Sequence, residues 1–138
     1  MARRAIVFFL YAILCVALAS ALESPERRIT SAQAKALVMV SLNAKQKRLP
    51  SLGVDLFDDP SSKFLFAAVT WAGIPGGSVV VENYAVDPYT GDVFIAAAEC
   101  DEVRNERLRV LQKQIRASLH LTQSEYRRLK TKGPLCER

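Results

Sequence analysis

The stretch Ser78-Val79-Val80-Val81-Glu82-Asn83-Tyr84-Ala85-Val86-Asp87-Pro88-Tyr89-Thr90-Gly91-Asp92-Val93-Phe94 decides the fold. Its first half is dense in β-branched and aromatic residues, which suit a pleated, half-buried surface, so Ser78 to Val86 is expected as a strand. The run Asp87 to Asp92 then turns the chain back: Pro88 presets one backbone dihedral and Gly91 supplies a positive one. Val93 to about Ala97 returns antiparallel to the first strand.

Working upstream, Phe64 to Trp71 is apolar on both faces, the pattern of a strand inside a sheet or under a helix. Gly73-Ile74-Pro75-Gly76-Gly77 joins it to Ser78. Residues 51–62 are irregular, with Gly53, Pro60 and Ser61-Ser62, although Val54 to Phe57 offers a short edge strand. Before them, Thr30 and Gln33 have the spacing of a capping box, and Ala32 to about Lys45 has helical composition. Leu37, Val40 and Ala44 share one face of that helix, with Val38 beside it. Lys45-Gln46-Lys47-Arg48 suits a helix C-terminus, and Pro50 prevents continuation.

Downstream, Asp101 is placed to cap a helix through about Leu119. Its Leu108, Leu111, Ile115 and Leu119 stripe is expected against the sheet, with Arg104, Arg107, Lys113 and Arg116 toward water. Thr122 and Glu125 form a second capping box, opening a short helix stopped by Gly133 and Pro134. The predicted class is α+β: an N-terminal helix, three or four antiparallel strands and two C-terminal helices.

The N-terminus has Arg3 and Arg4, an apolar run from Ala5 to Ala19, then Ser20 and Ala21, the order of a secretory signal peptide. Cleavage is expected after Ala21, with Ala19 a second acceptable site; the alternative is an uncleaved anchor. Leu14 stands before Cys15 where a lipobox needs a small residue. Residues 22–29 then form a short polar leader, expected to be flexible, and 30–138 one domain. Cys100 and Cys136 are an even pair in an exported chain, which predicts a disulfide; the alternative is two thiols. Closing that loop restricts the unfolded chain by roughly 3–4 kcal/mol in the entropy model.

Removing Arg3 and Arg4 from the 19 basic residues leaves 17 against 14 acidic ones, a net +3 for residues 22–138. Residues 22–48 hold six basic and two acidic groups, 49–100 one and seven, and 101–138 ten and five. The centre is acidic and both ends are basic. Positive charge lies on segments that read as solvated helix surfaces without interleaved aromatics, which argues against nucleic acid as a partner. No apolar run after the leader is long enough to span a bilayer, so no membrane contact is expected after cleavage.

Catalytic chemistry finds few residues. Ser/His or Cys/His catalysis needs a base beside the nucleophile, and the single histidine, His120, sits at a helix end. One histidine and two cysteines make a poor zinc set. Asp55, Asp58 and Asp59 offer paired carboxylates or oxygen ligands, but Asp58-Asp59-Pro60-Ser61-Ser62 is also an ordinary turn. Gly73, Gly76 and Gly77 join two strands with no helix N-terminus after them, so they do not form a phosphate loop. No catalytic residue, metal or cofactor is therefore expected. Partner-contact candidates are Trp71 and Ile74 at one hairpin, Asp87, Tyr89 and Asp92 at the other, and the Asp55, Asp58, Asp59 group.

Ile29 to Leu37, followed by a strand-loop-strand and the run Tyr84-Ala85-Val86-Asp87-Pro88-Tyr89-Thr90-Gly91-Asp92-Val93-Phe94, resembles the PepSY-like domains. It is similar also to small folds among bacterial immunity proteins, in which a helix precedes a sheet closed by such a hairpin. The resemblance covers about residues 29–97 and carries no catalytic residues. It implies a periplasmic or secreted binding module that inhibits a hydrolase or neutralises a delivered toxin. An acidic centre would steer such a module toward a basic effector. The alternative is a small-ligand or envelope-sensing domain with an apolar pocket under the Leu108-to-Leu119 helix.

Overall fold

The computed structural model describes residues 27–96 and 101–133. The leader at Met1 to Ala21 and the bridge between Cys100 and Cys136 lie outside the described residues. The described chain runs α1 (Ser31–Ser41), a 3-10 turn (Gln46–Arg48), β1 (Leu52–Asp58), β2 (Leu65–Ile74), β3 (Gly77–Val86), β4 (Val93–Ile95), α2 (Glu106–Ser118) and α3 (Gln123–Leu129). The strands form one antiparallel sheet in the order β1-β2-β3-β4, so the class is α+β with four strands and three helices.

Both predicted capping boxes are present. Thr30 Oγ1 accepts from the Gln33 N–H at 3.2 Å while the Thr30 N–H donates to Gln33 Oε1 at 2.8 Å. Thr122 and Glu125 repeat the exchange at 3.2 and 2.8 Å, satisfying donors the first helical turn leaves orphaned. Helix α1, however, ends at Ser41 and not at Lys45. The reason is local: Asn43 and Gln46 bond each other's backbone N–H at 2.9 Å, so the basic cluster starts its own 3-10 turn.

Likewise Asn105, not Asp101, caps α2, its Oδ1 accepting from the Leu108 N–H at 2.8 Å. Asp101 to Val103 is extended instead, because Ile95 N–H donates to Asp101 O at 3.0 Å and Val103 N–H to Val93 O at 2.8 Å. That segment covers the outer edge of β4. Residues 27–29, expected in a flexible leader, are tied down: Ile29 is buried and its N–H donates to Pro88 O at 2.8 Å.

The core lies on the inner face of the sheet. Helix α1 rests there against all four strands, with α2 beside it. Ala34, Leu37 and Val38 meet Ala67, Val69, Tyr84, Val86 and Val93, and Leu108 and Ile115 complete the cluster. Each fully buried aliphatic side chain contributes roughly 1.5–3 kcal/mol by leaving water. The stripe predicted for α2 is thus correct in its residues, while α1 takes the central place on the sheet. The space suggested for a small ligand under α2 is filled by Leu108 and Ile115.

Candidate functional site

The hairpin between β3 and β4 is a structural knot. Asp87 Oδ1 accepts from the N–H groups of Tyr89 and Thr90 at 2.8 and 3.1 Å, and Gly91 adopts φ +70°. The helices then bind the turn from outside: Gln112 Nε2 donates to Gly91 O at 3.0 Å, and Arg116 Nε to Thr90 O at 2.8 Å. Arg116 also pairs with Asp92 at 2.5 Å and lies 3.9 Å from the centre of the Tyr126 ring. Tyr126 donates its hydroxyl to Asp92, and Thr131 donates to the second Asp87 oxygen at 3.3 Å.

These contacts correct two expectations. Asp87 and Asp92 are only 2% and 1% exposed, so they hold the hairpin in place and present nothing to a partner. Arg116, predicted to face water, has a side chain only 21% exposed. Burial pushes the Asp92 carboxyl above its ordinary range, and the charges of Arg116 and Lys130 pull it back without reversing the shift. Tyr89 is half-buried, with the Arg28 guanidinium 5.3 Å from its ring centre.

The outer face of the sheet is different. Register places Phe57, Phe66, Ala85 and Phe94 in one row across the four strands. Asp55, Ala68 and Asn83 form the next row, and Gly53, Thr70 and Val80 the third. At the β4 end this face is covered: Phe94 is buried, Phe64 meets it edge-on at 5.8 Å, and Gly133 packs close against its ring. Toward β1 the cover ends. Phe57 stacks on Phe66 at 5.7 Å yet remains 49% exposed, and Val80 is 52% exposed. The outer face toward β1 therefore presents an aromatic pair, with Asp55, Ala68 and Asn83 in the row beside it.

Among the other predicted contacts, Asp55, Asp58 and Asp59 are all exposed on or beside β1. Asp55 accepts from the Thr70 hydroxyl at 3.3 Å, and Asp59 accepts from the Ser61 N–H and hydroxyl, bonds that lower its pKa. Among the described residues no three His, Cys, Asp or Glu side chains are grouped to hold a metal ion. Trp71 lies on the inner-face side of β2, its indole over Gly73, with Nε1 buried and without a hydrogen-bond partner. Ile74 is placed by its pairing with Gly77 at the end of the β2–β3 hairpin. Sequence reading missed Phe57 and Val80 as surface residues, with Phe66 partly buried beside Phe57. The available signal was alternation in Leu56-Phe57 and Phe64 to Ala68, hidden because both faces are apolar.

No family model matches the chain, a PepSY-like one included, and no curated protein matches it. Among solved structures, it is similar to a chain of a type VI secretion system effector-immunity complex from Pseudomonas protegens, with a TM-score of 0.56. The two share 19% sequence identity, and the match covers 78% of this chain and 90% of that one. What this chain has in common with that complex is therefore its fold.

Proposed function

We propose that this protein is an exported, immunity-type binding protein, not an enzyme, and that it neutralises a protein effector by covering part of its surface. The observation that carries the reading is the outer face of the sheet toward β1, where Phe57 and Val80 are about half exposed and Phe57 stacks on the partly buried Phe66. A sheet face normally buries its apolar residues, so this patch marks a place where a partner completes the packing. The similarity in fold to a chain of an effector-immunity complex supports the choice of partner class.

Asp55 lies on the outer face of the sheet, Asp58 and Asp59 follow at the end of β1, and Arg104, Arg107, Arg109, Lys113, Arg127 and Arg128 belong to the helical segments, which also carry Glu102, Glu106 and Glu125. A basic effector would be steered to the sheet. The apolar centre would then supply the contact energy and the acidic edge the orientation.

The test is neutralisation. Secreted proteins encoded near this gene in its genome are each expressed in the periplasm of a sensitive host, alone and with this chain. Restored growth with the native chain, and its loss with Phe57→Lys, is the expected outcome. Absence of protection by a folded native chain overturns the reading.

A further inference from the structure

We propose that β1 is a strand-addition site: its outer edge, which no described residue pairs, accepts an extended basic segment of the partner protein as a fifth strand. The inference deepens the reading of the protein as a binder of a basic effector and rests on it for the identity of that partner. The two edges of the sheet are treated differently. The β4 edge is closed by Asp101 to Val103, which pair with β4 through two backbone hydrogen bonds. Among the described residues the β1 edge pairs with β2 alone, and no other backbone or side chain bonds the backbone of Leu52–Asp58. Alternate residues of this seven-residue strand therefore turn unpaired N–H and C=O groups outward.

Such an edge invites pairing, and its charge decides with what. Asp55 is the middle residue of β1. If two copies paired edge to edge about a two-fold axis centred there, the two Asp55 carboxylates would face each other across roughly 5 Å. Like charges directly opposed destabilise a strand pair, so a second copy of this chain is disfavoured. A strand carrying Lys or Arg opposite Asp55 gains the attraction instead. Its side chain two residues along on the same face would lie beside Phe57, whose ring is half open to solvent. The occupant is thus a partner segment with a basic residue spaced two positions from an aromatic or aliphatic one. Main-chain bonds supply affinity, and Asp55 with Phe57 supplies register and choice.

The experiment pans a phage-displayed library of random ten-residue peptides on the purified protein at low ionic strength, followed by amide hydrogen exchange with the recovered peptides. The expected result is enrichment of peptides with the basic-x-apolar spacing and slowed exchange at alternate residues of 52–58. Asp55→Lys should weaken them at least tenfold, with Asp55→Asn in between and the circular dichroism of both variants unchanged. Recovery of no peptide, enrichment of acidic peptides, protection away from β1, or binding indifferent to Asp55→Lys overturns the proposal. If neutralisation of the effector persists while β1 stays unprotected in that complex, strand addition fails and the immunity reading stands. If peptides add to β1 but no effector is neutralised, the reverse holds.

Discussion

Arg116 of α2 and Asp92 of the β3–β4 hairpin form an ion pair at 2.5 Å in which the carboxylate is almost wholly removed from water. The guanidinium uses its remaining donor geometry on Thr90 O and its face on Tyr126. One side chain thus joins α2, α3 and the turn.

Removing that side chain takes from a buried carboxylate its ion-pair partner and leaves it the Tyr126 hydroxyl. Arg116→Ala is expected to lower unfolding stability by about 3 kcal/mol, at the low end for broken buried pairs because Arg116 is partly solvated. Arg116→Lys should fall between, since an ammonium keeps the charge but cannot fork to Thr90 O and Asp92 together. Urea denaturation checks this through the midpoint, with an unchanged m-value. Equal stability in Arg116→Ala would show that the knot is dispensable.

Acid titration separates two carboxylates by sign. Burial raises the folded pKa of Asp92 above its ordinary 3.8, so the folded state binds its proton more readily than the unfolded chain. Its contribution is fully present below about pH 4 and is lost as pH rises through the higher folded value. Glu125 is the reverse: its bonds from Thr122 lower it from 4.5, so its contribution is present above that value and lost as pH falls. Stability measured against pH should therefore lose a downward slope in Asp92→Asn and an upward one in Glu125→Gln. Matching slopes in the two variants would contradict the assignment.

Two glycines should differ in cost. Gly91 has φ +70°, and an added Cβ would sit 3.4 Å from Leu37 Cδ1, an ordinary contact, so Gly91→Ala carries backbone strain of about 1–2 kcal/mol. Gly133 has φ +103°, and its Cβ would come within 2.9 Å of Phe94 Cδ1. Gly133→Ala should be the more damaging, because it strains the backbone and also forces Gly133 and the Phe94 ring apart. Thermal melts of the pair test the ranking.

The row of aromatics on the outer face predicts a division between stability and binding. Phe94→Ala empties a buried site and should cost about 3–5 kcal/mol. Phe57→Lys changes a half-exposed side chain and should cost less than about 1 kcal/mol, yet reduce affinity for the neutralised effector at least tenfold. Calorimetric titration of both folded variants distinguishes them. A Phe57→Lys protein that binds normally would move the contact surface elsewhere.

Local chemistry was legible where a few adjacent residues settle it. Thr30 with Gln33, Thr122 with Glu125, and the Pro88 and Gly91 turn each act within a handful of positions. The helix ends at Ser41 and Asn105 were misread because competing bonds decided them, from Asn43 with Gln46 and from Asp101 to Val103 onto β4. Asp87, Tyr89 and Asp92 looked like an exposed tip because a hairpin turn usually is one. Here α2, α3 and residues 130–133 close over it, a fact about packing partners 21 and more positions away.

By itself, then, the amino-acid order determined the class of the domain, the strand succession, the two capping boxes and the residues of the helix stripes, since all of these follow from periodicity and turn stereochemistry. Tertiary structure alone decided which face of the sheet receives α1, which edge is closed, and whether a given carboxylate is a buried joint or a surface charge. The physical reason is that Asp55 and Asp92 are the same side chain, and neither the strand around one nor the turn around the other states what will pack against it. Only distant neighbours, Arg116 for one and open solvent for the other, set what each can do.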